Sequence, residues 1–250
     1  MPVSQYNSPP RIAVGDGRLI RPIQPTVTYV LLGLTIFVFV IQYITEYTYG
    51  VDVAAMFGMK INTSIEAGQI WRLITPVLLH GSLLHLGFNM YALFIFGPNL
   101  ESMYGHGRFL ALYLLSGFAG IVLSFLLSPG PSLGASTAIF GLLAAEGVFL
   151  YQNSGMIQNA RRMLTNLISI AVINLVIGFA PGMNIDNLGH LGGLLGGAMF
   201  AWFGGPILGV RSGYEKPVLV DQRTPRQVLL AGVGVFTVFA LLALMEIFLV

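Results

Sequence analysis

The chain has 250 residues, of which 55% are hydrophobic and only 9% charged, with a mean hydropathy of +0.79. That leaves too little polar surface to coat a soluble globule of this size, so the composition defines an integral membrane protein. The absence of cysteine excludes disulfides and Cys-based zinc or redox sites, and the net charge of +2 follows from loop placement rather than from a nucleic-acid partner.

Seven apolar runs follow one another, near 26–45, 83–96, 109–127, 136–151, 163–179, 188–203 and 228–249. They predict an all-α membrane protein with a helical core over 26–203, an inner linker at 204–227 and an added helix over 228–250. Residues 1–25 lack an apolar core and read as a short irregular cytoplasmic tail, so the first span is expected to direct insertion. With that tail inside, ten of the twelve basic residues fall on inner segments and only Lys60 and Arg72 outside. The expected topology is N-terminus in, C-terminus out.

The long outer loop 46–82 carries Trp71-Arg72 near its end, where the tryptophan suits either an interfacial anchor or a functional role. Next come His80, His85 and Asn89. The last two are four residues apart and share one helix face near the outer end of the second span. Such groups bond a neighbouring helix or serve chemistry. Gly97-Pro98 is expected to end this span, with Glu101 and Arg108 forming a solvated or paired set in the inner turn. The third span is apolar apart from Ser116, and packing is its expected role.

Ser136 opens the fourth run among small residues, Gly134-Ala135-Ser136-Thr137-Ala138. Residues 136–151 give roughly 24 Å of helix against a bilayer core of about 30 Å, so the helix would start below the membrane surface. The preceding Ser128-Pro129-Gly130-Pro131 cannot be helical throughout and would line a wet pit. First-turn N–H groups would supply donors to an oxyanion at Ser136, while capping or close packing is the plainer role for this serine. Glu146 lies about 15 Å deeper. Its expected role is structural, in contact with the Arg161-Arg162 pair.

Gly189, Gly193 and Gly197 recur every four residues, as do Gly192 and Gly196, a pattern for close helix approach. His190 sits at the outer end of that face, at the depth of Ser136, where it reads as a paired base. Asp186 suits a helix N-cap better than a third catalytic member.

Trp71-Arg72, His80-x4-His85-x3-Asn89, Gly134-x-Ser136 and Gly189-His190-x-Gly192, in this order, resemble the motifs of the rhomboid family of intramembrane serine proteases. The resemblance covers nearly all of 26–203 and implies a six-helix bundle plus one C-terminal helix. It implies Ser136 as nucleophile and His190 as general base, a dyad without a third acid. His85 and Asn89 would stabilise the oxyanion, with His80, Gly134, Phe140, Trp71 and Arg72 in supporting roles and Phe140 packed on the histidine. Neither metal nor cofactor is implied. The expected partners are single-pass membrane proteins within the bilayer, cut inside or next to their transmembrane helix, and the expected location is a bacterial cell membrane. Thr137 departs from the family pattern, which has glycine there. The alternative activity is non-catalytic binding of membrane helices on the same fold, for which Ser136 and His190 would not be needed.

Overall fold

The computed structural model describes residues 12–14, 18–20, 23–180, 185–211 and 218–249. Nine α-helices run through them: α1 (Thr26–Tyr49), α2 (Val53–Gly58), α3 (Asn62–Glu66), α4 (Leu83–Tyr104), α5 (His106–Leu127), α6 (Ser136–Gln152), α7 (Ala160–Gly178), α8 (Asn187–Gly204) and α9 (Pro225–Leu249). Among the described residues α1, α4, α5, α7 and α9 are long and apolar enough to cross a membrane, while α6 is a shorter apolar helix of 17 residues. The chain is an all-α membrane protein.

α8 lies at the centre, between α5 and α6, and its glycines explain how. A Cβ on Gly193 or Gly197 would overlap the backbone of Thr137 or Gly141 in α6, and one on Gly192 would lie 2.6 Å from the Leu123 Cβ of α5. Gly196 abuts Ala119 of α5. Two glycine rows therefore face two different helices. Backbones in direct contact gain dispersion energy that lipid-exposed packing of larger side chains would not supply. α9 packs on α5 and α8, with Phe236 stacked on Phe118 at 5.3 Å. α7 stands at the edge, with Ile168, Val172, Ile173 and Val176 exposed where lipid would cover them.

The second span does not end at Gly97-Pro98. α4 continues through Pro98 to Tyr104, and the chain turns at Gly105, whose φ of +79° suits glycine. The extra turn is held by Glu101. This fully buried carboxylate accepts the N–H groups of Val27 (2.8 Å) and Thr28 (2.7 Å) and the Thr28 hydroxyl (2.7 Å). Pro25 offers no cap of its own, so Glu101 supplies the anion favoured at the start of α1. Proline's lost bond and steric clash are outweighed by that anchorage. The expected Glu101–Arg108 set is likewise replaced. Glu101 also pairs with His106 Nδ1 (2.5 Å), and Arg108 pairs with Asp221 (2.5 Å).

The tail, read as irregular, and the linker contain four short strands, β1 (Ile12–Val14), β2 (Arg18–Ile20), β3 (Leu208–Arg211) and β4 (Val218–Asp221), ordered β2-β1-β4-β3. β1 runs parallel to β4, with Ile12 opposite Leu219. Runs of only three or four residues give little periodicity to read. The sheet is bound to that body by two buried side chains. Asp221 accepts the N–H groups of Ile207 and Arg223 as well as Arg108, and Asn153 accepts the Leu208 N–H (2.7 Å) while donating to the Pro206 carbonyl (3.1 Å).

Candidate active site

Three segments converge at one end of the helical body: the start of α6, the start of α8 and the chain from His80 into α4. Ser136 is the first residue of α6, and the helix ladder opens with the Ile139 N–H bonded to the Ala135 carbonyl at 3.0 Å. The amides of Ser136, Thr137 and Ala138 thus precede the ladder and carry the positive end of the helix dipole. Across from them, Asp186 caps α8 by accepting the Gly189 N–H at 2.8 Å. That cap starts the helix on the turn that carries His190.

The Ser136 hydroxyl and His190 Nε2 are hydrogen-bonded at 2.8 Å. Phe140, one turn into α6, stacks on the imidazole with centroids 4.2 Å apart and planes 12° from parallel. His190 is buried, and its Nδ1 has no hydrogen-bond partner among the described residues. Asp186 keeps one carboxylate oxygen without a partner and does not reach that nitrogen. The arrangement is a pair held by an aromatic face, in which the hydroxyl proton has one acceptor and the ring one orientation.

Gly134 brings the histidines of the other segment against this pair. Its φ of +133° belongs to glycine, and a Cβ there would lie 2.8 Å from both Cε1 and Nε2 of His85 and 3.6 Å from Ser136 Oγ. His85 is therefore seated directly over the chain that delivers the serine. His80 packs edge-on against His85 with centroids 5.0 Å apart, and the Ala135 N–H points to His80 Nε2 at 3.5 Å. Asn89 is buried one turn below His85 and donates to the His85 carbonyl at 3.0 Å, which occupies one of its two amide hydrogens.

Trp71 and Arg72 do not touch the pair. The Trp71 indole donates to the Phe57 carbonyl (2.9 Å), and the buried Arg72 guanidinium donates to the carbonyls of Met59 (2.6 Å) and Met56 (2.7 Å) and to Gln69 Oε1 (2.7 Å). They hold the loop between α1 and α4 together, and that loop reaches the site through the Gly134 N–H, which donates to the Pro76 carbonyl at 2.9 Å. Thr137 points away from the pair. Its side chain is buried against α5, where a Cβ on Gly120 would come within 2.5 Å of it, so a small residue in α5 makes room for the departure in α6.

Glu146 does not meet the Arg161-Arg162 pair. One of its oxygens is buried without a partner, and both arginines are exposed at the start of α7. Their long side chains belong to the aqueous boundary, which leaves this carboxylate alone among helices.

Gln42 and Lys60 were not singled out by motif. The Gln42 amide, buried in α1, pairs with the His80 backbone in both directions, accepting its N–H at 3.0 Å and donating to its carbonyl at 3.2 Å, and also donates to Asp52 at 2.7 Å. A single amide inside the apolar run of α1 was the available signal. Lys60 breaks the charge bias expected of its loop, and it is fully buried on backbone carbonyls.

A helical membrane protein with a hydrogen-bonded Ser–His pair near the N-terminal ends of two contacting helices defines the class. The Rhomboid domain model matches residues 67–207, more than half of the chain, and the chain belongs to the rhomboid family. It is 45% identical over 174 residues to Rhomboid protease GluP of Bacillus subtilis, covering 70% of this chain and 34% of that protein. It is 42% identical over 158 residues to RHOMBOID-like protein 5 of Arabidopsis thaliana (61% and 49% covered) and 36% identical over 149 residues to Rhomboid-like protease 1 of Toxoplasma gondii (58% and 51% covered). The chain spans about a third to a half of the length of these relatives.

Proposed function

We propose that this protein is an intramembrane serine endopeptidase that cleaves single-pass membrane proteins within or next to their transmembrane helix. The observation that carries the reading is the 2.8 Å bond between Ser136 Oγ and His190 Nε2, with Phe140 stacked on the ring. Membership of a family with protease-named relatives supports the reaction type.

His190 takes the Oγ proton as Ser136 attacks the scissile carbonyl. The carbonyl oxygen gains charge beside the first-turn amides of α6, with His85 and Asn89 as further donors. Proton transfer to a positioned base contributes about 10²–10⁴-fold, and one oxyanion donor about 10²–10³-fold. The proton then passes from His190 to the leaving amine, and a water hydrolyses the acyl-enzyme with His190 again as base. His80 acts one step back, oriented by Gln42 and accepting from the Ala135 N–H so that the backbone before the serine is fixed.

Six core crossings plus the added α9, with the N-terminus cytoplasmic and the C-terminus outside in a bacterial cell membrane, is the topology we favour. The charge distribution supports it, and so does the sheet, which joins the N-terminal segment to the linker before α9 on one side of the helical body. The two outer basic residues are exceptions with a cause, since Lys60 and Arg72 are both spent on backbone carbonyls.

The test is cleavage of a generic single-pass substrate by the purified chain in detergent. Ser136→Ala and His190→Ala should each abolish cutting; Tm should stay near wild type in Ser136→Ala, which removes one oxygen, and fall in His190→Ala, which removes the buried ring stacked on Phe140. Robust cutting by either variant overturns the dyad, and helix binding that survives without cutting in wild type would favour a non-catalytic role.

A further inference from the structure

The segment 128–133, which leads into Gly134 and Ser136, is poorly equipped to hold itself. α5 ends at Leu127 with carbonyls that no later turn can satisfy, and Pro129 and Pro131 contribute no N–H. The missing donors come from residues 60–62 of the outer loop. The Lys60 ammonium donates to the Ser128 carbonyl at 2.5 Å and the Gly130 carbonyl at 2.8 Å. Its backbone pairs with Ser132 both ways, at 2.9 and 3.2 Å. Asn62 Nδ2 adds bonds to the carbonyls of Phe125 (2.9 Å) and Ser128 (3.2 Å).

Lys60 is fully buried, and a desolvated ammonium is costly to keep. An apolar side chain could cover the segment but would leave the carbonyls of Ser128 and Gly130 without these donors. What the ammonium adds is a compact cation with several donors at the negative end of α5, able to hold two carbonyls that diverge around Pro129. Burial lowers its pKa from the ordinary lysine value to about 8, while the negative charge of Asp186, the cap of the His190 helix, opposes that shift. The same ammonium therefore lies at the end of α5 and within the field of the cap of α8, the helix that carries His190.

We propose that Lys60, assisted by Asn62, is a positioning residue for Ser136: by fixing the carbonyls of Ser128 and Gly130 it sets the course of the chain into the nucleophile without touching substrate. This rests on the reading of Ser136 as nucleophile. A displacement of about 1 Å at a reacting atom costs about 10²-fold in rate, so the clamp should appear in reactivity and not only in stability.

A fluorophosphonate tests both readings separately. Ser136 Oγ forms a bond to phosphorus, the P–F bond breaks, fluoride leaves and the hydroxyl proton passes to His190, with no docking of a substrate helix. Labelling rates of the purified full chain over a range of probe concentrations give kinact and KI, and a thermal scan gives Tm. Wild type should label and Ser136→Ala should not. Lys60→Met should lower kinact by about 10–10²-fold with KI unchanged. Asn62→Ala, which leaves the ammonium in place, should lower kinact by a few-fold and decides the matter if Lys60→Met does not fold. A folded Lys60→Met with a lower Tm and wild-type kinact makes the clamp merely structural and overturns the proposal, as does an unchanged kinact in Asn62→Ala when that variant decides. Labelling absent from wild type, or equal in Ser136→Ala, removes the nucleophile reading and this proposal with it.

Discussion

Gly134→Ala tests the site at a position that carries no chemistry of its own. The backbone there has φ +133°, where a residue with a Cβ is strained by about 1–3 kcal/mol. The added carbon would also lie 2.8 Å from two ring atoms of His85, whereas ordinary contact starts at 3.4 Å, so the ring or the chain must yield by about 0.6 Å. Catalytic geometry tolerates about 0.5 Å. We expect kcat on a single-pass substrate to fall by about 10–10²-fold, with KM little changed because the substrate's flanking helix contacts remain. Tm should fall by several degrees. Adding His85→Ala should recover part of the Tm, since the clash is gone, but not kcat, since the ring is gone as well. Wild-type kcat and Tm in Gly134→Ala would refute the account of why a glycine stands there and of how His85 is seated.

Asn89→Ala should lower kcat by about 10–10³-fold with little effect on KM, and the double variant with His85→Ala should lose less than the product of the two, as the proposed sharing of one oxygen by both donors requires; a rise in KM alone would move the pair to substrate docking. Glu146→Gln should keep most of the activity and leave Tm equal to or above wild type, since it removes a buried carboxylate oxygen with no partner; loss of turnover in a folded protein would assign it a role in the reaction. Lys60 gives a pH signature. Its folded pKa of about 8 lies below the unfolded value of 10.5, so the unfolded chain binds the extra proton between them and stability should rise from about pH 8 to 10.5, with no contribution to the slope below that window. Thermal scans over this range should show the rise in wild type and its absence in Lys60→Met.

The spans were legible because a bilayer imposes length and apolarity on them, and α8 was legible in detail because two rows of glycine at a spacing of four have few other uses. Ser136 and His190 could be placed together in advance for a similar reason: each lies near the start of a helix, among residues small enough for those helices to touch. The continuation of α4 through Pro98 was not legible. A proline reads as a stop unless the compensating contact is known, and that contact, Glu101 on the start of α1, joins residues 73 apart. Thr137 shows the same limit. Whether it narrows the site depends on Gly120 in another helix, and nothing local to Thr137 announces that gap. Asn89 lay on the expected face, yet its amide bond to the His85 carbonyl follows from a rotamer that spacing does not determine.

The parallel pairing of β1 with β4 sets an order of events during synthesis. Ile12 leaves the ribosome about 200 residues before its partner Leu219, which at about 5–20 residues per second is a delay of roughly 10–40 s. β1 can fold back on β2 at once, but its other edge stays open while the helices between them are made and inserted. An open strand edge is a template for pairing with a neighbouring chain. Only when Asp221 arrives and engages Arg108 at the foot of α5 is the edge closed, so the ion pair acts as a late latch on assembly, and overexpressed chains crowded on one membrane are most exposed to mispairing in that interval.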